Sequence, residues 1–519
     1  MREMRSLLKP RVALSSLREM NPSFQSLRAL SLKRFAKSTL PDCIGRLRRL
    51  RYLNLKNSRL KCLPNFIVEL VCLQTLNLDQ CYNLKRWPRG FSNLANLRHL
   101  RFQGCKFHDM PSGFGKMKSL VEVNKFIVGN VSGLDTLAAL DLKGYYVEID
   151  FYKCRRNSVV ETRRVNMKDN HRLRLYFSTG KVTPKSGNTE LLLECLILPP
   201  SLEYLKIYSY SGERFPTWML PNLVTVEIQK CESCVQLPQF SQLPSLKSLT
   251  LNDLEALEYI EEDGWGGDGE SCSAIHFVAL EKLYINEMPK LKGWFWRPRV
   301  KDYVHPQQAD MTSDVHQDLT SHRLLSFPRL SQLYIGDCPQ FVSMPLTLLP
   351  RLDEFYAENI HEKAVESLLA SHREAPSSSF PSSSSSSPTL STLKKLHIEE
   401  VNIVSFSINS CDSETLEIKD CEKLTSLIVV SPNSPIRQLD LRNLKNLRAL
   451  PEEIDHLAQL RDLTICYCPE LASLPQSFCG LSSLQSLRVF RCPHLETRCR
   501  KPDGEDWPLI QHIPNIRLY

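Results

Sequence analysis

Two sets of side chains in this 519-residue sequence are suited to contact another macromolecule. Seven of them are basic and lie near the start of the chain: Arg28, Lys33, Arg34, Arg51, Lys56, Arg98 and Arg101. Six are aromatic and lie later: Tyr204, Tyr208, Tyr284, Tyr334, Tyr467 and Phe490. Clustered cations attract acidic partners in a salt-dependent way, and exposed aromatic side chains anchor protein interfaces. The chemistry predicted from these residues is non-covalent recognition.

The basic set belongs to a strongly cationic segment. Residues 1–125 contain 25 Lys plus Arg against 7 Asp plus Glu, an excess of 18, whereas the whole chain has a formal net charge of +9. We expect the seven basic residues to form one patch that faces an acidic protein surface. Nucleic acid is an unfavoured partner because Tyr52 is the main ring available there for base stacking. A patch that is simply solvated is the third interpretation.

Motifs for catalysis and for metal binding are missing from the sequence. No phosphate-binding GxxxxGK followed by Ser or Thr, no HExxH and no GxSxG is found. Cys231 and Cys234 have the spacing of half a zinc site, but no second Cys or His pair stands at the usual separation. We therefore expect a protein that is not an enzyme and that binds neither metal nor cofactor by itself.

A repeated leucine pattern must position the candidate residues. The pattern LxxLxL begins at Leu27, Leu50, Leu73 and Leu97, and copies with LxL or LxI cores return from Leu202 to Leu484. Alternation over its last three positions predicts a short strand, and the constant period predicts strands stacked in a solenoid. We expect the basic and aromatic residues at the outward positions of these strands.

Cysteines and interruptions complete the predicted organisation. Seven of the 18 cysteines stand three residues past the last strand position, where a small, buried, reduced thiol fits beside backbone carbonyls: Cys81, Cys105, Cys231, Cys338, Cys421, Cys468 and Cys492. The predicted segments are an N-terminal cover or linker (1–26), regular basic repeats (27–129), degenerate repeats (130–200), repeats with loop insertions near 256–275, 296–325 and 370–390 (201–495), and a C-terminal cap (496–519).

Several longer stretches resemble one known family. These are LPDCIGRLRRLRYLNL from Leu40, LQTLNLDQCYNLKRWP from Leu73, SGERFPTWM from Ser211, and the ending CPHLETRC with GEDWPLIQHIPNI. They resemble the leucine-rich repeat region of plant coiled-coil nucleotide-binding immune receptors, the disease resistance proteins. The resemblance implies an α/β-type solenoid, a leucine-rich repeat horseshoe with a parallel β-sheet on the concave face and irregular or short helical segments on the convex face.

The resemblance also implies a function. Such a region recognises a pathogen effector or a guarded host protein and holds a nucleotide-binding switch domain in its ADP-bound state. The sequence contains neither that domain nor the coiled coil, so ADP or ATP would belong to the missing domain and the chain is interpreted as a truncated receptor. We interpret the basic patch as the docking site of the switch domain and the six aromatic residues as partner recognition. The alternative is a free-standing leucine-rich repeat scaffold or decoy that does not signal.

The expected location follows from the absence of sorting signals. The chain has no apolar run long enough to span a membrane, and its basic start is not followed by the apolar stretch of a signal peptide. We expect a cytoplasmic protein that does not bind membranes, with the nucleus as a second compartment.

Overall fold

The computed structural model describes residues 6–7, 26–129, 133–140, 146–152, 165–167, 170–178, 186–262, 275–296, 325–342, 344, 349–373, 393–408, 413–429 and 434–519. The chain divides into two compact units, Met1–Cys234 (unit 1) and Val235–Tyr519 (unit 2). Most of the predicted N-terminal cover and most of each predicted loop insertion lie outside the described residues.

Short parallel strands dominate unit 1. Its described strands are β1 (Ser6–Leu7), β2 (Ala29–Ser31), β3 (Tyr52–Asn54), β4 (Thr75–Asn77), β5 (His99–Arg101), β6 (Glu122–Val123), β7 (Lys125–Val128), β8 (Tyr146–Tyr152), β9 (Val165–Asn166), β10 (Arg172–Ser178), β11 (Leu196–Ile197), β12 (Tyr204–Tyr208) and β13 (Thr225–Gln229). Strands β1 to β6 form one sheet in chain order, and β7, β8, β10, β12 and β13 pair in that order in another. Strands β9 and β11 pair with each other.

Unit 2 continues the same construction. Its described strands are β14 (Ser248–Asn252), β15 (Tyr259–Glu262), β16 (Ile275–His276), β17 (Lys282–Asn286), β18 (Gly293–Trp296), β19 (Leu325–Ser326), β20 (Gln332–Cys338), β21 (Glu354–Ile360), β22 (Leu393–Glu399), β23 (Ser405–Ser407), β24 (Ser413–Lys419), β25 (Ser426–Ile428), β26 (Gln438–Arg442), β27 (Asp462–Cys466), β28 (Ser486–Phe490) and β29 (Asn515–Leu518). Strands β14, β17, β20, β21, β22, β24 and β26 to β29 pair in that order, all parallel.

The leucine register creates this arrangement. Leu30, Leu53, Leu76 and Leu100 are paired across neighbouring strands, and each is fully buried. A single coil cannot bury its own apolar row, so the core forms only between stacked coils. In unit 2 the same register joins Leu439, Leu463 and Leu487. The predicted parallel solenoid is therefore confirmed.

Many of the strands lead into the same turn. The fourth residue after the central leucine adopts a left-handed backbone, as in Arg34, Asn57 and Gln80 with φ near +60°. At several of these turns the next position holds a cysteine that the sequence predicted to be buried. Cys81 Sγ donates to the carbonyl oxygen of Leu55 at 3.1 Å, and Cys105 Sγ donates to that of Leu78 at 3.2 Å. All seven cysteines of this register are buried and reduced, as predicted.

The return segments are irregular or briefly helical. Short 3-10 helices occupy Asp42–Arg46, Asn65–Glu69, Phe91–Asn93, Phe114–Lys116, Phe240–Gln242, Ile454–His456 and Gln476–Gly480. Pro41 and Pro64 directly precede two of them, since proline fixes a suitable φ and lacks an N–H that a sheet would need. The α-helices are α1 (Leu134–Ala138), α2 (Ser186–Glu194), α3 (Glu362–Arg373), α4 (Pro493–Arg498) and α5 (Trp507–Ile510).

The last residues cover the end of the core of unit 2. Ile510 and Ile513 are buried, Trp507 and Ile516 are partly buried, and β29 pairs with β28. Asp506 joins this segment to the rest of the unit. Its carboxylate accepts hydrogen bonds from Arg498 Nη2 at 2.8 Å and from the backbone N–H of Leu474 at 3.0 Å. None of the helices within the described ranges combines the length and the apolar character needed to cross a bilayer.

Candidate protein-binding face

The seven basic residues do not share one strand face. Only Arg101 lies within a strand. Arg28, Arg51 and Arg98 stand immediately before β2, β3 and β5, whereas Lys33, Arg34 and Lys56 follow the ends of β2 and β3. The expectation that these residues occupy outward strand positions is wrong for six of the seven. The reason is that each early strand is three residues long, so the first variable position of LxxLxL precedes it.

The six flanking cations form two separate rows. Arg51 N–H donates to the carbonyl oxygen of Arg28, and Arg34 N–H donates to that of Lys56, which makes the members of each pair neighbours on adjacent coils. Adjacent strands lie about 4.8 Å apart. Four residues, 29–32, separate Arg28 from Lys33, so the two rows lie at opposite ends of the short strands. Ala29, Ser31, Tyr52 and Asn54 occupy the strand face between them.

Arg101 is already engaged within the protein. Its guanidinium lies 3.1 Å from Asp79 Oδ2 and 3.3 Å from Glu122 Oε1. Asp79 is nearly buried and also accepts from Asn124 Nδ2 at 2.8 Å. The structure therefore assigns Arg101 a structural role in the sheet, while the six other residues have no carboxylate in ion-pair range among the described residues.

The aromatic residues of unit 1 differ in exposure. Tyr208 is partly exposed and its ring lies 5.6 Å from that of Tyr176. Tyr204 is only 7% exposed, and the Cζ atom of Arg172 lies 4.7 Å from its ring centroid. The expectation that Tyr204 is an exposed anchor is wrong, because arginine side chains from the neighbouring strand cover its ring. Burial and then the Glu227 carboxylate raise the pKa of Tyr204 to about 12.

In unit 2, aromatic rings form a row across four adjacent strands. Tyr284, Tyr334, Tyr356 and His397 occupy one register position on β17, β20, β21 and β22. The rings of Tyr284 and Tyr334 stack with centroids 4.4 Å apart and planes 9° apart. The next centroid distances along the row are 6.3 Å and 5.7 Å. All four side chains are partly exposed, so the row presents ring surface to solvent.

Charged side chains fix the rings of this row. Tyr334 Oη donates to Glu358 Oε2 at 2.5 Å, and burial together with this carboxylate raises the pKa of Tyr334. His397 lies between two carboxylates, with Nδ1 2.8 Å from Glu417 and Nε2 2.9 Å from Glu399. Burial alone would raise the pKa of Glu417, but hydrogen bonds from His397 and Lys395 lower it. A ring that its neighbours hold loses little conformational entropy when a partner binds.

The last two predicted aromatic residues lie near the end of unit 2. Phe490 is in β28, whereas Tyr467 occupies the left-handed turn position after β27 and is 43% exposed. Their ring centroids are 5.4 Å apart, and the guanidinium of Arg491 lies over both rings. The structure therefore brings Tyr284 together with Tyr334, and Tyr467 together with Phe490, at different strands of the unit.

Sequence reasoning missed Tyr356 and the place of His397 in the row. Both stand at the outward position of the LxxLxL register, so this register could have been used to predict them. The intervals between β17, β20, β21 and β22 are irregular, which hid the alignment of the four rings.

Comparison with known proteins agrees with this architecture. A family model described as a leucine-rich repeat region matches residues 3–298. The putative disease resistance protein RGA4 of Solanum bulbocastanum is 29% identical over 281 residues, which are 53% of this chain and 26% of that protein. The putative disease resistance RPP13-like protein 1 of Arabidopsis thaliana is 27% identical over 281 residues, or 51% of this chain and 23% of that protein. The chain thus spans about a quarter of the length of these curated relatives.

Among solved structures, YopM from Yersinia enterocolitica is 17% identical, covers 99% of this chain and 91% of that chain, and has a TM-score of 0.49. The family model covers more than half of the sequence, and the described strands and leucine core have the organisation that such repeats produce. We conclude that the chain belongs to the leucine-rich repeat family and that its curated relatives are plant disease resistance proteins.

Proposed function

We propose that this chain is the protein-recognition region of a plant intracellular immune receptor and that the outward strand face of unit 2 binds its partner. The row formed by Tyr284, Tyr334, Tyr356 and His397 carries the proposal. Aromatic side chains dominate binding energy at protein interfaces, and rings held by a rigid sheet are already ordered for contact.

The proposed partner is a protein, either a pathogen effector or a guarded host protein. Cations and carboxylates alternate around the row, as in the pairs Lys395 with Glu417 and Lys419 with Glu399. A mixed polar rim around aromatic anchors is the usual composition of a protein interface. The carboxylates would repel a phosphate backbone, which disfavours nucleic acid at this face.

We further propose that the two basic rows of unit 1 dock a nucleotide-binding switch domain. The rows are Arg28, Arg51 and Arg98 before the strands, and Lys33, Arg34 and Lys56 after them. Their positive charges, which have no carboxylate in ion-pair range within the described ranges, favour an acidic protein surface and a salt-dependent association. In this scheme ADP or ATP binds the switch domain and this chain binds no cofactor. The alternative function is a free-standing scaffold or decoy.

The aromatic row can be tested by substitution. The full chain, immobilised, is used to capture proteins from pathogen-treated leaf extract, and recovery is quantified by mass spectrometry. We expect Tyr284→Ala with Tyr334→Ala to reduce recovery of specific partners at least tenfold, with little change in melting temperature. Tyr82→Ala is the matched control, because Tyr82 is 54% exposed and lies outside the strands. Unchanged recovery in the double variant would refute the proposal.

The switch-domain interface is tested separately. Binding of a purified nucleotide-binding switch domain from a plant immune receptor is measured at low and high salt. We expect binding at low salt to weaken at least tenfold when three charges are reversed together, by Arg28→Glu, Arg51→Glu and Arg98→Glu. The matched control reverses Arg46, Arg48 and Arg49, which are exposed in the return segment and change the net charge equally. Equal losses in both triple variants would show non-specific attraction, and no binding at all would favour the scaffold.

A further inference from the structure

We propose that Arg172 and Arg174 form a binding site for an acidic side chain of a protein partner, on the strand face of unit 1. The proposal rests on the proposed function, protein recognition, and names the chemistry that this part of the face selects. The partner is an Asp- or Glu-containing segment that lies across β8, β10 and β12.

The register places Arg174 at the centre of an aromatic and polar surface. Arg174 is paired with Glu148 on β8 and with Lys206 on β12, and Arg172 is paired with Tyr146 and Tyr204 at the adjoining outward position. Tyr176 and Tyr208 occupy the next outward position on β10 and β12. Two arginines are thus surrounded by four tyrosines, a composition typical of the residues that contribute most to protein binding.

Aromatic rings hold both guanidinium groups in place. The Cζ atom of Arg172 lies 4.7 Å from the ring centroid of Tyr204. The Cζ atom of Arg174 lies 5.4 Å from the centroid of Tyr146 and 5.5 Å from that of Tyr204. Arg174 also donates hydrogen bonds to the hydroxyl groups of Tyr204 and Tyr176, which fix its orientation. A guanidinium that lies over a ring, as in the exposed Arg172, can still direct its N–H edge at a carboxylate, and its fixed orientation reduces the entropy lost on binding.

Neither arginine lies within ion-pair distance of a carboxylate among the described residues, although the charge of Arg174 contributes to the lowered pKa of Glu227. Arg172 is exposed, and Arg174 Nε is buried without a hydrogen-bond partner in that part of the chain. The nearby acids are already occupied. Lys206 Nζ lies 2.8 Å from Glu227, and Lys125 Nζ lies 2.9 Å from Glu148 and 3.1 Å from Asp150. The two arginines therefore keep a local excess of positive charge.

The sequence that includes the two arginines also has a net positive charge. Residues 153–174 contain eight Lys plus Arg against two Asp plus Glu. This is a second basic segment beyond the first 125 residues, within the stretch where the repeats are degenerate. A carboxylate that reaches the guanidinium groups of Arg172 and Arg174 forms charge-assisted hydrogen bonds.

The test measures fluorescence anisotropy of a fluorescein-labelled decapeptide of alternating Glu and Ser added to the full chain. A peptide with Gln in place of Glu serves as the neutral probe. We expect Arg172→Gln with Arg174→Gln to weaken binding of the Glu peptide at least tenfold. The matched control is Arg48→Gln with Arg49→Gln, which removes the same charge from exposed positions of a return segment and should change affinity less than twofold.

A second measurement locates the contact and does not need a variant to fold. Arginine modification by phenylglyoxal is mapped by mass spectrometry with and without the Glu peptide. We expect the peptide to protect Arg172 while Arg488, an exposed arginine on β28, is modified equally in both samples. The proposal would be overturned if the two double variants lost affinity equally, or if the neutral peptide bound as tightly as the Glu peptide. It would also be overturned if the Glu peptide did not bind or did not protect Arg172. Neither measurement depends on Tyr284 or Tyr334, so failure of this proposal and failure of the proposed function can be distinguished.

Discussion

The attachment of the last coil of unit 2 depends on the buried carboxylate of Asp506. This side chain is 3% exposed and accepts from Arg498 Nε at 3.1 Å, Arg498 Nη2 at 2.8 Å and Leu474 N–H at 3.0 Å. Asp506→Ala leaves the buried N–H of Leu474 without an acceptor, which costs about 1–3 kcal/mol. Loss of the contact with the partly exposed guanidinium adds about 1 kcal/mol. We therefore expect a destabilisation of about 2–4 kcal/mol, confined to the end of unit 2.

Hydrogen exchange followed by mass spectrometry measures this effect where it occurs. Because each 1.4 kcal/mol is a factor of ten, amides of β28 and β29 should exchange roughly 30-fold or more faster in the variant. Glu505→Ala is a close control: Glu505 contacts the same arginine and carries the same charge, but its side chain is 73% exposed. Its loss should cost less than about 1 kcal/mol. Equal acceleration by the two variants, or none by Asp506→Ala, would refute the reasoning from burial.

Three further predictions concern the core, the thiols and pH. Leu463→Ala should lower the free energy of unfolding by about 2–5 kcal/mol in urea titrations, because the side chain is fully buried, whereas Val404→Ala at a 56% exposed position should cost less than about 0.5 kcal/mol; equal costs would contradict the register. Iodoacetamide should label the exposed Cys62 and Cys479 in the native protein, whereas Cys338 and Cys421 should react only after unfolding, since burial raises their pKa to about 12 and about 11; equal labelling rates would be inconsistent with buried thiols. The pKa of Glu417 is lowered from 4.5, so its stabilising contribution is complete above that pH and is lost as the pH falls through the lower folded-state pKa. Urea midpoints should therefore fall less steeply below pH 4.5 in Glu417→Gln than in the wild type, and identical slopes would count against the ion pairs.

The fold was predictable because the signal is local and periodic. Leu53 and Leu463 stand at the same place in a short pattern, and stacking is the only way for such a coil to bury them. The cysteine positions followed from the same register. The family resemblance also predicted the parallel β-sheet and the irregular return segments.

The candidate site was harder to predict because it depends on contacts across coils. Tyr204 was expected to be exposed, but its ring is covered by Arg172 and Arg174, which come from an earlier stretch with little repeat signal. The row of four rings requires the strands after Tyr284 to be aligned across insertions of different lengths. The positions of the basic residues were predicted wrongly because the repeat pattern identifies only the inward leucines. The length of each strand, and so the extent of its outward face, is set by hydrogen bonding between coils.

The left-handed residue of these turns has a consequence for how such a surface can vary. This position holds the Asn and Asp residues that tolerate a left-handed backbone, such as Asn57 and Asp253, but also side chains as different as those of Arg34 and Tyr467. A non-glycine residue there costs about 1–2 kcal/mol of conformational energy, yet the chain accepts it in coil after coil. Since the side chain does not belong to the leucine core, an exchange at this position alters the local chemistry of the rim and leaves the packing intact. Some of these side chains bind each other across coils, as Asn359 does with Asp337. At the other turns an exchange would allow specificity to diversify without redesign of the scaffold.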